Sequence, residues 1–407
     1  MSGSPRQFVH AFRAAAASEL AEVTLGPATK FVALPDPFPF WRGGTLSEGR
    51  VAYETWGELN DARDNALLLF TGLSPSAHAA SSPEDPAPGW WEKMVGPGKA
   101  IDTDRYYVIC INSLGSCFGS SGPASIDPAT GLAYRLEFPD LSVEDIARGG
   151  YEVVRALGIE KLSAVVGASL GGMVVLAFAA QFAGVARRVI SISGSAAASP
   201  FAIALRSLQR DAILTDPDWQ DGQYSGDVRP NTGMRLARKL GTITYRSAAE
   251  WKHRFGRRPA SDRRYEALSP GRAHFAAEFA VQDYLNAQAD KFVSVFDPNC
   301  YLYLSRAMDR FDLSAHGGSP AAALQRAAAA SALIIGVESD ILFTINEQNA
   351  IADAFTAAGT ATTFVPLASL EGHDAFLVDI EPFAAAIGSF LAAQAPAEAR
   401  QESRASV

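Results

Sequence analysis

Apolar positions along the chain fall into short dense runs separated by longer mixed stretches, the rhythm of buried strands joined by helices. The early runs are Val51 to Trp56, Asn65 to Gly72 with Ala-Leu-Leu-Leu-Phe at its centre, Tyr106 to Asn112, Leu162 to Val166 and Arg188 to Ser193. Between the third and fourth, the spacing predicts a helix from Val143 to Leu157, with Ser142 as N-cap, Asp145 three residues on and Gly158 past its end. Met173 to Phe182 is long and Ala/Leu-rich enough for a buried helix. From Pro200 to about Ala330 the rhythm changes to helical patterns with many arginines: Ile203 to Ile213, Gly233 to Leu240, Ala248 to Phe255, Phe275 to Ser294 and Tyr301 to Met308. Strands resume at Ser331 to Gly336 and Thr362 to Pro366. The pattern predicts an α/β core over 29–199 and 331–393, interrupted by a helical insertion over 200–330. Such an insertion forms a lid over the carboxyl ends of the strands, where α/β sites lie. Residues 1–28 lack a continuous apolar h-region and read as a loosely ordered extension, and the Ala-, Glu-, Arg- and Ser-rich stretch 394–407 reads as a flexible tail.

Bulk properties narrow the function. A chain of 407 residues, 48% hydrophobic and 19% charged, has the make-up of a globular enzyme with a sizeable core. Its net charge of −9 argues against nucleic acid or an anionic membrane as a partner, and the longest apolar runs fall short of a membrane span. Three cysteines, Cys110, Cys117 and Cys300, form neither a disulfide framework nor a C-x-x-C site, which fits a reducing cytoplasm. No H-E-x-x-H pattern or clustered Cys/His set offers metal ligands, and Gly96-Pro97-Gly98-Lys99 lacks the rest of a phosphate loop.

The chemistry centres on Gly167-Ala168-Ser169-Leu170-Gly171, a Gly-x-Ser-x-Gly pattern between an apolar strand and an apolar helix. In that context the pattern is a nucleophile elbow, which lifts a serine hydroxyl clear of the sheet and sets the next backbone N–H, that of Leu170, at a helix N-terminus. The strand-to-loop switch Thr71-Gly72-Leu73-Ser74-Pro75 offers the Leu73 N–H as a second oxyanion donor, although a tight turn before a surface loop has the same signature. A seryl nucleophile needs a base and an acid that orients the base. Of six histidines, His10 and His78 precede the elbow, and His253, His274 and His316 lie in the helical insertion. His373 follows the last expected strand, and Asp340 follows Ser331 to Gly336, so the order is Ser169, Asp340, His373. Glu338 and Asp374 are alternative acids, and His78 serves as base only in a different fold.

Several stretches are more specific than the elbow: Tyr53-Glu54-Thr55-Trp56-Gly57, Gly96 to Arg105, Leu236-Ala237-Arg238 with Ile243-Thr244-Tyr245, and Gly372-His373-Asp374. Through them, over roughly residues 30–390, the chain resembles the homoserine O-acyltransferase family of the α/β-hydrolase fold. The resemblance implies a mostly parallel central sheet with a helical lid, and acyl transfer from coenzyme A to an amino-acid hydroxyl by Ser169, Asp340 and His373. It also implies Arg238 and Asp374 as amino-acid ligands, where residues read singly would be a solvated helix arginine and a loop cap. The chain is most similar to the serine O-succinyltransferase branch, through Gly72-Leu73-Ser74-Pro75, Asn112 to Cys117, Phe201 to Arg210 and Asp297 to Tyr301. That branch implies succinyl-CoA as co-substrate with no bound cofactor, L-serine as acceptor, Gly72 to Pro75 as acceptor-specificity residues, and a homodimer. Arg206 becomes the donor-specificity residue, since acetyl-transferring relatives typically carry Asn there and a guanidinium grips a terminal carboxylate bidentately. Read alone, Arg206 is a surface ion-pair arginine. The elbow's Leu170 stands where the family usually has Met, a volume-conserving change. Homoserine as acceptor, acetyl-CoA as donor, simple ester or thioester hydrolysis, and a non-catalytic binding role are the competing readings.

Overall fold

Seven runs of five to seven residues and a first strand of four make one eight-stranded sheet in the computed structural model, which describes residues 25–226, 228–261, 271 and 274–393. In chain order they are β1 (Lys30–Ala33), β2 (Arg50–Trp56), β3 (Ala66–Phe70), β4 (Tyr107–Ile111), β5 (Ala164–Ala168), β6 (Arg188–Ile192), β7 (Ser331–Val337) and β8 (Ala361–Leu367). Their spatial order is β1-β2-β4-β3-β5-β6-β7-β8. The β1/β2 and β2/β4 pairs are antiparallel and every later pair is parallel. Pairing of Gly167 with Phe70 on one side and of Ala168 with Ile192 on the other brings the carboxyl ends of β3, β5 and β6 level.

Alternation along each strand splits the apolar residues between two cores. Leu68 and Phe70 face a core shared with the helices α1 (Val143–Ala156) and α2 (Leu170–Gln181), while Leu67 and Leu69 face a second core with Trp91, Phe383 and Ile387. Helix α1 starts as expected, on a capping box in which Ser142 and Asp145 exchange side-chain and backbone hydrogen bonds. Helix α2 is buried from Leu170 to Ala180, so its sequence is apolar on every face. Strand β7 is buried along its whole length between two partners, which explains its unbroken apolar run, whereas edge strand β8 tolerates Pro366.

Between β6 and β7 the chain leaves the sheet through α3 (Pro200–Leu214), α4 (Asn231–Thr244), α5 (Ala248–Phe255), α6 (Ala280–Val293), α7 (Pro298–Arg310) and α8 (Pro320–Gln325). Helices α9 (Ile345–Ala357), α10 (Ala375–Val378) and α11 (Ile380–Ala393) complete the core. Several boundaries differ from the sequence expectation: the helices expected from Ile203, Gly233 and Tyr301 start two or three residues earlier, and three further differences lie in β5, α2 and α6. The strand expected over Leu162 to Val166 runs over β5 instead, with Leu162 keeping only an isolated parallel bridge to Ala186. The helix expected from Met173 begins at Leu170, directly on the elbow. The helix expected from Phe275 begins at Ala280, because residues 278–280 are extended against 258–260, with Ala260 N–H donating to Glu278 O and Ala280 N–H to Arg258 O.

No single helix among the described residues is long and apolar enough to cross a membrane. Of the expected extension over 1–28, residues 1–24 lie outside the described residues, as does the expected tail over 394–407.

Candidate active site

Strand β5 turns into α2 at Ser169, whose φ of 58° and ψ of −121° put its side chain outside the regular run of either element. The flanking glycines are there because the backbone closes on itself. A Cβ on Gly167 would lie 2.2 Å from Gly171 O, and one on Gly171 would lie 2.4 Å from Phe70 O.

Ser169 Oγ donates to His373 Nε2 at 2.8 Å, and His373 Nδ1 donates to Asp340 Oδ2 at 2.7 Å. Asp340 follows β7, and its other oxygen accepts the N–H groups of Leu342 (2.8 Å) and Phe343 (2.9 Å). The carboxylate is thereby fixed before it meets the imidazole. His373 lies after β8, buried against Phe343 at a ring separation of 4.9 Å, Phe376 at 5.8 Å and Tyr245 at 5.8 Å. Residues 171 and 204 positions apart thus converge on one rim of the sheet.

Of the alternative acids, Glu338 is exposed at the end of β7, and Asp374 faces Arg246, with Nε 3.3 Å from its Oδ2. His78 is elsewhere: its Nδ1 meets Glu54 Oε2 and its Nε2 meets Ala87 O, each at 2.8 Å. Among the described residues no group of three His, Cys, Asp or Glu is placed to hold a metal ion.

Burial pulls the His373 imidazole down, but the charge and hydrogen bond of Asp340 and the charge of Asp374 outweigh it, and the group is held above the usual histidine range. Burial raises the Asp374 carboxyl, against the pull of Arg246, His373 and Arg238.

A narrow cavity opens on Ser169, lined by Leu73, Arg206, Gln209, Tyr245, Tyr301 and Phe343 among others. Leu73 follows Gly72, where a Cβ would lie 3.8 Å from Ala168 O, so this loop runs directly beside the elbow. Pro75 O accepts from Asn112 Nδ2 at 3.4 Å, tying the Gly72 to Pro75 loop, Ser74 included, to the end of β4. The Leu170 N–H begins α2, and with Leu73 it flanks Ser169.

The cations come from the insertion. Arg206, on α3, is buried rather than a surface residue. Its Nε donates to Asp309 Oδ1 at 2.5 Å, while Nη1 and Nη2 are buried without a hydrogen-bond partner among the described residues. Arg238, on α4, lies over the ring of Phe292 at 4.5 Å and near that of Tyr245 at 5.8 Å, and its Nε is likewise buried and unpartnered. The junction of α4 and α5 is stitched to the histidine loop: Asp374 N–H donates to Tyr245 O at 3.0 Å, Ser247 Oγ to Leu370 O, and Arg246 Nη1 to Glu371 Oε2. Sequence reasoning missed Asp309, Gln209, Tyr301 and Phe343. Asp309 alone had an indirect signal, since Arg206 and Arg210 lie one turn apart on α3 and paired cations call for an acid, although nothing local says which.

Residues 65–379 match the family model described as the α/β hydrolase fold. The chain is 57% identical over 366 residues to a serine O-succinyltransferase from Stenotrophomonas maltophilia, covering 90% of this chain and 98% of that one. It is 54% identical over 369 residues to an L-serine/homoserine O-acetyltransferase from Streptomyces lavendulae, again covering 90% and 98%. The solved structure of a homoserine O-acetyltransferase from Bacillus anthracis superposes with a TM-score of 0.80 at 27% identity, over 89% of this chain and 97% of that one.

Proposed function

The chain belongs to the α/β-hydrolase fold family, within its serine and homoserine O-acyltransferases, and on that premise we propose that it transfers the succinyl group of succinyl-CoA to the hydroxyl of L-serine. One observation carries the choice of donor: buried Arg206 lines the cavity that opens on Ser169, and its Nη1 and Nη2 have no hydrogen-bond partner among the described residues. Succinyl differs from acetyl by a terminal carboxylate, and a two-pronged guanidinium is the group that binds one best. An acetyl group leaves the Nη1–Nη2 edge of that guanidinium without an anionic partner.

In the first half-reaction His373 Nε2 takes the Ser169 proton as Oγ attacks the thioester carbonyl. The Leu73 and Leu170 N–H groups receive the developing oxyanion, and Asp340 steadies the imidazolium. Collapse of the tetrahedral species breaks the C–S bond, and the imidazolium proton leaves with the CoA thiolate. In the second half-reaction His373 removes the proton of the serine hydroxyl, whose oxygen attacks the acyl-enzyme. Ser169 Oγ departs and takes the proton back, giving O-succinyl-L-serine. Arg238 holds the amino acid's carboxylate and Asp374 its ammonium, with Gly72 to Pro75 shaping the space beside the hydroxyl. The helical cover matters here, because water admitted at the acyl-enzyme stage hydrolyses it. The product is an activated serine suited to cysteine biosynthesis, since its succinate is a better leaving group than hydroxide.

Exposed Phe201, Leu208, Leu236 and Ile243 on α3 and α4 support a homodimer formed through the insertion, and three free cysteines fit a cytoplasmic enzyme. The test crosses serine and homoserine with succinyl-CoA and acetyl-CoA while following thiol release. The expected result is fastest turnover for serine with succinyl-CoA, and a succinyl adduct on Ser169 when the acceptor is omitted. Rapid thiol release with no acceptor dependence indicates a thioesterase instead, and preference for acetyl-CoA overturns the donor assignment.

A further inference from the structure

Arg206 is held in an unusual way for a buried arginine. Its side chain is 6% exposed and that of Asp309, on α7, is 8% exposed, yet the contact between them uses Nε and not the outer fork. The second oxygen of Asp309 is 2.6 Å from Arg210 Nη1, which also donates to Ser305 Oγ at 2.9 Å. One carboxylate therefore serves two guanidinium groups, and the cluster keeps a net positive charge. A side-on grip at Nε fixes the plane of the Arg206 guanidinium and leaves its two-pronged edge free for another group. Burying that edge unpaired is unfavourable, so the arrangement is suited to an incoming anion with two oxygens.

Building on the donor reading above, we propose that Asp309 is a positioning residue for the acyl donor: by occupying Nε of Arg206, with Arg210 as its anchor, it presents Nη1 and Nη2 to the donor's terminal carboxylate. Charge alone argues the other way. Neutralising Asp309 makes the pocket more cationic and, with Arg206 unmoved, strengthens its hold on an anion. The two accounts give opposite signs.

The experiment measures kcat/KM for succinyl-CoA and acetyl-CoA, with serine as acceptor, in the full-length wild type, Asp309→Asn, Arg206→Asn and the double variant. The expected result is that D309N lowers the succinyl-to-acetyl ratio by about tenfold or more, mainly through KM for succinyl-CoA, because the guanidinium loses its alignment. In the R206N background the same change should lower the ratio no further. A ratio that rises, or stays level while both donors fall together, overturns the proposal, as does a second, multiplicative loss in the double variant. Should D309N not fold, Asp309→Glu keeps the charge and displaces it by one methylene, and a reduced ratio is again expected. If R206N leaves the ratio unaltered, the donor reading itself fails. If R206N lowers it and the Asp309 variants do not, only the role of Asp309 falls.

Discussion

The ring of Phe343 lies nearly flat against the imidazole of His373, with centroids 4.9 Å apart and planes inclined by 29°, while its own N–H donates to Asp340 Oδ1. One residue therefore braces both partners of Ser169, the acid through its backbone and the base through its side chain. Phe343 is 1% exposed. Truncation to alanine should destabilise the protein by about 3–5 kcal/mol and leave a void beside the base. The expected result is a lower Tm with kcat reduced by about ten- to a hundredfold, as the imidazole gains freedom. Wild-type kcat in a folded Phe343→Ala variant would show the ring to be filling only.

Asp340→Asn separates fold from chemistry. The asparagine carbonyl can still accept the Leu342 and Phe343 N–H groups, so the loop after β7 should keep its shape. The amide then faces His373 Nδ1 as a donor and favours the tautomer that cannot accept the Ser169 proton. Turnover should fall by about four orders of magnitude with a near-native Tm. A loss of tenfold or less would point to another acid.

The acid limb of the activity profile reports His373 in its neutral form, because only that form accepts the serine proton. Since Asp340 and Asp374 hold this group above the ordinary histidine value of 6.5, the midpoint of kcat/KM should lie above that pH. Asp374→Asn removes one of the charges that favour the imidazolium, so the limb should move toward lower pH. Movement toward higher pH, or no movement, would separate Asp374 electrostatically from the base.

Two glycines flanking the site should respond in opposite ways to alanine. At Gly171 the new methyl would lie 2.4 Å from Phe70 O, a backbone atom that cannot yield, so the elbow must distort. Destabilisation of about 1–3 kcal/mol or more and loss of turnover are expected. At Gly72 the nearest atom to a new Cβ is 3.8 Å away, an ordinary contact, so Tm should hold. Equal thermal shifts in the two variants would contradict the close packing of the elbow on β3.

The sheet was legible because its strands are buried on both faces and so are apolar without interruption, as β3 and β7 show. The convergence of Ser169, Asp340 and His373 was legible for a related reason: each follows a strand, and parallel strands bring such positions to one rim. Strand β1 was not read, since Lys30–Ala33 is mostly exposed and carries no dense apolar signal. Phe275 looked helical by spacing, but pairing of 278–280 with 258–260 depends on contacts that local sequence does not encode. Asp309 escaped for the same reason. It meets Arg206 across 103 positions, and its importance lies in which nitrogen it touches.

The stitching of Tyr245, Arg246 and Ser247 to the loop that carries His373 limits how the cover can move. With the cover pinned at that corner, any opening has to come at its far edge. Traffic of bulky thioesters in and amino acids out can then proceed while the imidazole stays in register with Ser169, and the machinery does not have to be reassembled on every cycle.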